Sequence, residues 1–142
     1  MSREKRMQMK KIAGINARIS PKWKKFKARK EQMLIHTFSF HIDDVGTGWE
    51  YIHFELDRKT IAAFRISYIG PGIRSFVEEV TDMKEDETKE IVFYDEPGEH
   101  SLIFSRKEED IYIEIPAGTN GFFMDYGLFR NQILNEYREK VG

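Results

Sequence analysis

The run Ile91-Val92-Phe93-Tyr94-Asp95-Glu96-Pro97-Gly98-Glu99-His100-Ser101-Leu102-Ile103-Phe104 reads as two apolar strands joined by an acidic turn. Proline presets φ and glycine accepts a positive φ, so Pro97-Gly98 suits the central positions of a type II turn. After the short charged turn Lys107-Glu108-Glu109-Asp110, Ile111, Ile113 and Ile115 alternate as a third strand. Gly118-Thr119-Asn120-Gly121 is a loop, and Phe122, Tyr126, Phe129, Ile133 and Tyr137 then mark a helix. This half of the chain reads βββα.

The half before it has the same order. Leu34, His36, Phe38, Phe40 and Ile42 fall on one face of a strand that begins at Met33. Asp43 to Gly48 is a loop, and Ile52, Phe54 and Leu56 line one face of a second strand that starts at Trp49. The polar turn Asp57-Arg58-Lys59-Thr60 leads to a third, with Ala62, Phe64, Ile66 and Tyr68 alternating. Gly70-Pro71-Gly72 breaks the sheet, and Ile73, Phe76, Val77, Val80 and Met83 form the stripe of an amphipathic helix. The expectation is an α+β domain over residues 33–142. Its core is a mostly antiparallel six-stranded sheet in βββα-βββα order with two packed helices.

Charge divides the chain sharply. Residues 1–30 hold twelve Lys/Arg and one acid, a net +11, while residues 31–142 carry a net −12. Such asymmetry suggests a basic N-terminal arm, residues 1–32, appended to an acidic domain. Ile12, Ile15 and Ile19 recur at helical spacing and Pro21 interrupts, so the arm is expected as short helices or a disordered tail. Its basic residues Lys22, Lys24, Lys25, Lys27, Arg29 and Lys30, with Trp23 and Phe26 among them, suit phosphate tracking and base stacking. An anionic membrane surface and folding back onto the acidic domain are the competing readings, as is an arm foreign to the folded unit.

Several chemistries find no support. There is no cysteine, which removes disulfides, a thiol nucleophile and a Cys-ligated zinc. His36, His41, His53 and His100 lack tight ligand spacing, and no Gly-x-Ser-x-Gly or phosphate-cradling glycine loop is present. Gly70-Pro71-Gly72 before a helix suits an anion but is explained by the strand-to-helix break. The acids Asp43-Asp44 and Asp95-Glu96-Glu99 fit solvated turns better than a catalytic pair or a calcium loop. No apolar run is long enough to span a bilayer and no secretory leader is evident, so the cytoplasm is the expected compartment. No enzyme activity, cofactor or metal is expected.

Phe38-Ser39-Phe40, Gly48-Trp49, Ile66-Ser67-Tyr68-Ile69 and Val92-Phe93-Tyr94-Asp95-Glu96-Pro97-Gly98 together resemble a group of small bacterial proteins. In that group a strand ends in an aromatic-x-acid-Glu-Pro-Gly turn. The likeness covers roughly residues 33–116, and proteins of this layout are similar to cytoplasmic immunity partners of polymorphic toxins. The resemblance implies a non-catalytic domain that binds a protein, such as a basic toxin domain. The acids Asp95, Glu96, Glu99, Asp43 and Asp44, with Trp49, would form its recognition edge, aromatic anchors supplying energy and charge steering encounter. The alternative is a nucleic-acid-associated module working through the arm.

Overall fold

Alternating side chains and two-residue turns build most of the molecule. The computed structural model describes residues 2–44, 49–67, 72–95 and 98–141. Among them the order is α1 (Arg3–Ala28), α2 (Lys30–Met33), β1 (Leu34–Ile35), β2 (Phe38–Asp44), β3 (Trp49–Leu56), β4 (Lys59–Ser67) and α3 (Ile73–Thr81). Then come β5 (Thr88–Asp95), β6 (Gly98–Lys107), β7 (Asp110–Glu114), β8 (Phe122–Asp125) and α4 (Tyr126–Val141). The protein is α+β, with each half placing antiparallel strands before a helix.

The strands do not form one sheet of six. β2-β3-β4 make a three-stranded antiparallel sheet, and β1-β8-β7-β6-β5 a five-stranded one in which β1 runs parallel to β8. β4 and β5 lie side by side, with Phe64 and Phe93 ring centroids 5.8 Å apart, but no ladder joins them. Both sheets instead curl around the same buried residues. Phe40, Phe54, Phe93 and Phe104 from the strands meet Phe76 and Val80 of α3 and Phe129 and Ile133 of α4.

Two strands escaped the sequence reading. β1 has two residues, and His36, expected inward, lies exposed between β1 and β2. β8 was read as the first turn of the last helix, because Phe122 and Tyr126 are four apart. Over four residues the two periods cannot be separated. Tyr126 does begin α4, donating its hydroxyl to Val80 O at 2.9 Å and accepting from Met83 N at 3.1 Å. On the same helix, Gln132 accepts from Phe38 N at 2.7 Å and donates to His36 O at 2.9 Å, closing the end of β2.

The turns show why the register holds. Asp57 and Arg58 have φ of 48° and 70°, the two positive values of a type I′ hairpin. Asp57 also accepts from the backbone N–H of His36 and Thr37 at 2.9 and 3.1 Å. At the acidic hairpin, Gly98 pairs with Asp95 as the first residue of β6. It is thus part of the ladder and not a central turn position. Glu96 and Pro97 lie outside the described residues.

The basic segment is the largest departure. It forms one helix of 26 residues, N-capped by Ser2, that runs through Pro21. Proline forfeits one helical hydrogen bond and crowds the preceding turn. Pro21 is exposed, on the helix side away from the sheet, where water can satisfy the freed carbonyl. On the opposite side Ile19, Trp23 and Phe26 are buried against Tyr112 and Phe123 of the five-stranded sheet. Phe26 stacks on Phe123 with centroids 4.1 Å apart and Trp23 meets it edge-on at 5.0 Å. α1 thus covers one sheet face and the main core covers the other, which leaves every residue of β7 buried. No described helix is long and apolar enough to cross a membrane.

Candidate functional site

Strand alternation puts a polar row on the sheet face under α1. Ile111 and Ile113 point into the main core, so Asp110, Tyr112 and Glu114 point to α1. The same logic turns Thr88 and Glu90 of β5 to that side. α1 answers each of them along its length. Lys11 pairs with Glu90 at 2.5 Å, Thr88 Oγ1 donates to Asn16 Oδ1 at 2.6 Å, and Lys30, just past the helix, pairs with Asp110 at 3.1 Å.

Glu114 is the centre of this row and is 0% exposed. Arg18 grips it with both nitrogens, at 3.0 and 2.7 Å, and Lys22 stands 3.7 Å away. The Tyr112 hydroxyl and the Gly118 N–H, the latter at 3.0 Å, donate to the same carboxylate. Burial pushes the Glu114 carboxyl up, but the bonds from Arg18, Tyr112 and Gly118 outweigh it and hold the group at about 2. Burial, then the bond to Glu114, pushes the Tyr112 phenol well above its usual range. Every acceptor position of the carboxylate is in use, so this cluster fastens α1 and offers nothing to a substrate.

The other side of α1 is different. At about 100° per residue, Arg3, Arg6, Lys10, Lys24 and Lys25 fall within about 100° of one another on the solvent side. All five are exposed. Among the described residues none of them has a carboxylate within 4.0 Å. Between the two groups the same side carries Gly14, Ala17 and Pro21, which add little bulk.

The sequence-predicted nucleic-acid residues therefore divide. Trp23 and Phe26 are packed inside, so their ring faces are taken by protein and cannot stack bases. Lys22 turns to Glu114 and lies over the Tyr112 ring, and Lys30 is held by Asp110. Lys24, Lys25, Lys27 and Arg29 are exposed. Arg3, Arg6 and Lys10 lie ahead of Pro21, which argues locally against a shared helix, yet α1 runs through it and carries them with Lys24 and Lys25.

The acidic edge divides as well. Asp95 pairs with Gly98 and Tyr94 with Glu99, so Asp95 and Glu99 point to opposite sheet faces. Asp95 turns toward β4, 3.4 Å from Arg65 Nε and 3.5 Å from His100 Nε2, and the His100 ring stacks on Phe64 at 4.1 Å. Glu99 shares its face with Tyr94, which is 43% exposed. Asp43, at the end of β2, is 3.6 Å from His53. Glu96 and the side chains of Asp44 and Trp49 lie outside the described residues. His41 and His53 are cross-strand neighbours. Among the described residues no three His, Asp or Glu gather where a metal could be held.

Arg18, Glu114, Tyr112 and Asp110 were not singled out from sequence. The available signal was Glu114 itself, a carboxylate in an isoleucine-rich strand, opposite a basic segment with its own isoleucine stripe. Comparison of the chain with protein-family models, with curated proteins and with solved structures gave no match.

Proposed function

We propose that the protein is a non-catalytic nucleic-acid-binding module that presents the solvent side of α1 to phosphates. The reading is supported by one observation above the rest: five exposed cations share one side of α1 and, among the described residues, have no carboxylate within 4.0 Å. The sheet's carboxylates are taken by Lys11, Arg18 and Lys22, which lie nearer the sheet on α1, and by Lys30 just beyond it. Packing of Ile15, Ile19, Trp23 and Phe26 fixes the second half of the helix in advance, so binding need not order the backbone that carries Lys24 and Lys25. Phosphate contacts of this kind give affinity and little sequence preference.

The test is binding to a labelled duplex across a salt series. Five phosphate contacts predict a log-log slope of about −4.5. Changing Arg3, Arg6, Lys10, Lys24 and Lys25 to Gln brings the slope near zero without altering the unfolding temperature. A flat salt dependence in the parent protein, or binding to anionic vesicles but not to nucleic acid, overturns the proposal.

A second reading is an immunity-type protein that binds a basic toxin domain. It is favoured by exposed Tyr94 beside Glu99, an aromatic and an acid at the end of one hairpin. Tyr94→Ala combined with Glu99→Gln would then abolish capture of the product of the adjacent gene. Undiminished capture, or none by the parent protein, sinks it.

A further inference from the structure

The C-terminal part of α1 and the β6–β7 turn enclose a cleft of about 300 Å³. Trp23 and Phe26 form its apolar wall, Lys24, Lys27 and Lys107 its charged margin, and Asp110 lies on the strand side. Two buried polar atoms in these walls have no hydrogen-bond partner, Trp23 Nε1 and Asp110 Oδ1. Their residues are only 8% and 6% exposed. The other Asp110 oxygen is occupied by Lys30 at 3.1 Å. One wall therefore carries an idle donor and another an idle acceptor, each costing about 1–3 kcal/mol while unpaired. Lys107 is exposed, and its ammonium lies 5.6 Å from the centre of the Trp23 ring. Both orphan atoms are closed to solvent with Lys107 in this position, so a ligand reaches them by displacing side chains at the mouth, Lys107 among them.

We infer that this cleft takes one nucleotide, with its phosphate among Lys24, Lys27 and Lys107 and its base edge between Trp23 Nε1 and Asp110 Oδ1. The Watson–Crick edge of every nucleobase offers an acceptor next to a donor, which is the complement of an indole N–H and a carboxylate oxygen. A simple inorganic anion would pair with the lysines at the margin, but the like charge of Asp110 keeps it from the indole. An apolar ligand would leave both atoms unpaired. The volume is at the small end for ligand sites and suits one such unit. The inference rests on the reading of α1 as a nucleic-acid surface, with which it shares Lys24. The nucleotide is either free or one residue of a single strand.

The experiment follows the indole N–H resonance of Trp23 in the full-length protein, assigned with Trp49→Phe. The four 5′-ribonucleoside monophosphates, inorganic phosphate and a single-stranded decamer are titrated separately. The monophosphates shift the resonance saturably and phosphate does not. Lys107→Gln, at an exposed position, weakens the monophosphates about tenfold, and Asp110→Asn weakens them as well. A decamer that binds more than tenfold tighter identifies a base from a strand, and a tighter monophosphate identifies a free nucleotide. An indole unmoved by monophosphates, or moved equally by phosphate, overturns the inference. If the decamer then still binds with a steep salt slope, the α1 surface stands and only the cleft is lost. If the decamer does not bind while the monophosphates do, the α1 reading fails and the cleft stands.

Discussion

Glu114 shows how one side chain can commit a whole helix. Its folded carboxyl is held at about 2 against an ordinary 4.5. A depressed carboxylate contributes stability above its unfolded value and loses it as pH falls through the folded one. Stability is therefore expected to drop by about 3 kcal/mol between about pH 5 and pH 2 from this group. In Glu114→Gln that part of the acid limb disappears, and stability at pH 7 falls by about 1.5–3 kcal/mol, because the bonds that Arg18 and Tyr112 make to a full charge are weakened while Arg18, 42% exposed, can turn to water. Urea unfolding across pH measures both. Gly121 is a second such position. A Cβ there would overlap the Tyr112 ring, and Tyr112 is wedged between Glu114 and Phe123. Gly121→Ala is expected to cost about 1–3 kcal/mol as Tyr112 is displaced, visible as a lower urea midpoint.

At the scale of elements, the hairpins and α1 behave differently. The β3–β4 turn holds Arg58 at φ 70°, a region that costs a non-glycine residue about 1–2 kcal/mol. Arg58→Gly creates the Asp-Gly pair that type I′ turns favour and is expected to raise stability by about 1 kcal/mol. An unchanged denaturant midpoint would contradict it. For α1, two truncations separate holding from presenting. Removing residues 1–10 deletes Arg3, Arg6 and Lys10 but no buried side chain. It should weaken nucleic-acid binding with little loss of stability. Removing residues 1–32 bares Tyr112, Phe123 and the uncompensated Glu114, and is expected to give an aggregating protein by light scattering.

For the whole molecule, the small net charge of −1 hides an internal division that the fold partly neutralises. The basic helix lies on an acidic sheet face, and the charges left over are those facing solvent. Raising salt should release nucleic acid well before it loosens α1, since exposed charges are screened while Glu114, out of solvent, is screened far less. Helicity and duplex binding followed together through one salt titration should separate by a wide margin. Coincident loss would mean that the outer cations and the docking contacts are one system.

Sequence alone determined the strands β2 to β7, helix α3 and the α+β class, because each rests on a local period of 2 or 3.6 that its own side chains display. It also determined the sharp charge division. Tertiary structure alone decided where that division leads. Pro21 argued locally for a broken arm, yet the burial of Ile19, Trp23 and Phe26 and the grip of Glu114 on Arg18 carry one helix through it. The pairing of Asp95 with Gly98 sent Asp95 and Glu99 to opposite faces, dispersing an acidic cluster that looked continuous in sequence. Contacts such as Arg18 to Glu114, ninety-six positions apart, have no local signature. They exist because a sheet face that cannot stay wet and a helix with a matching stripe are each other's cover.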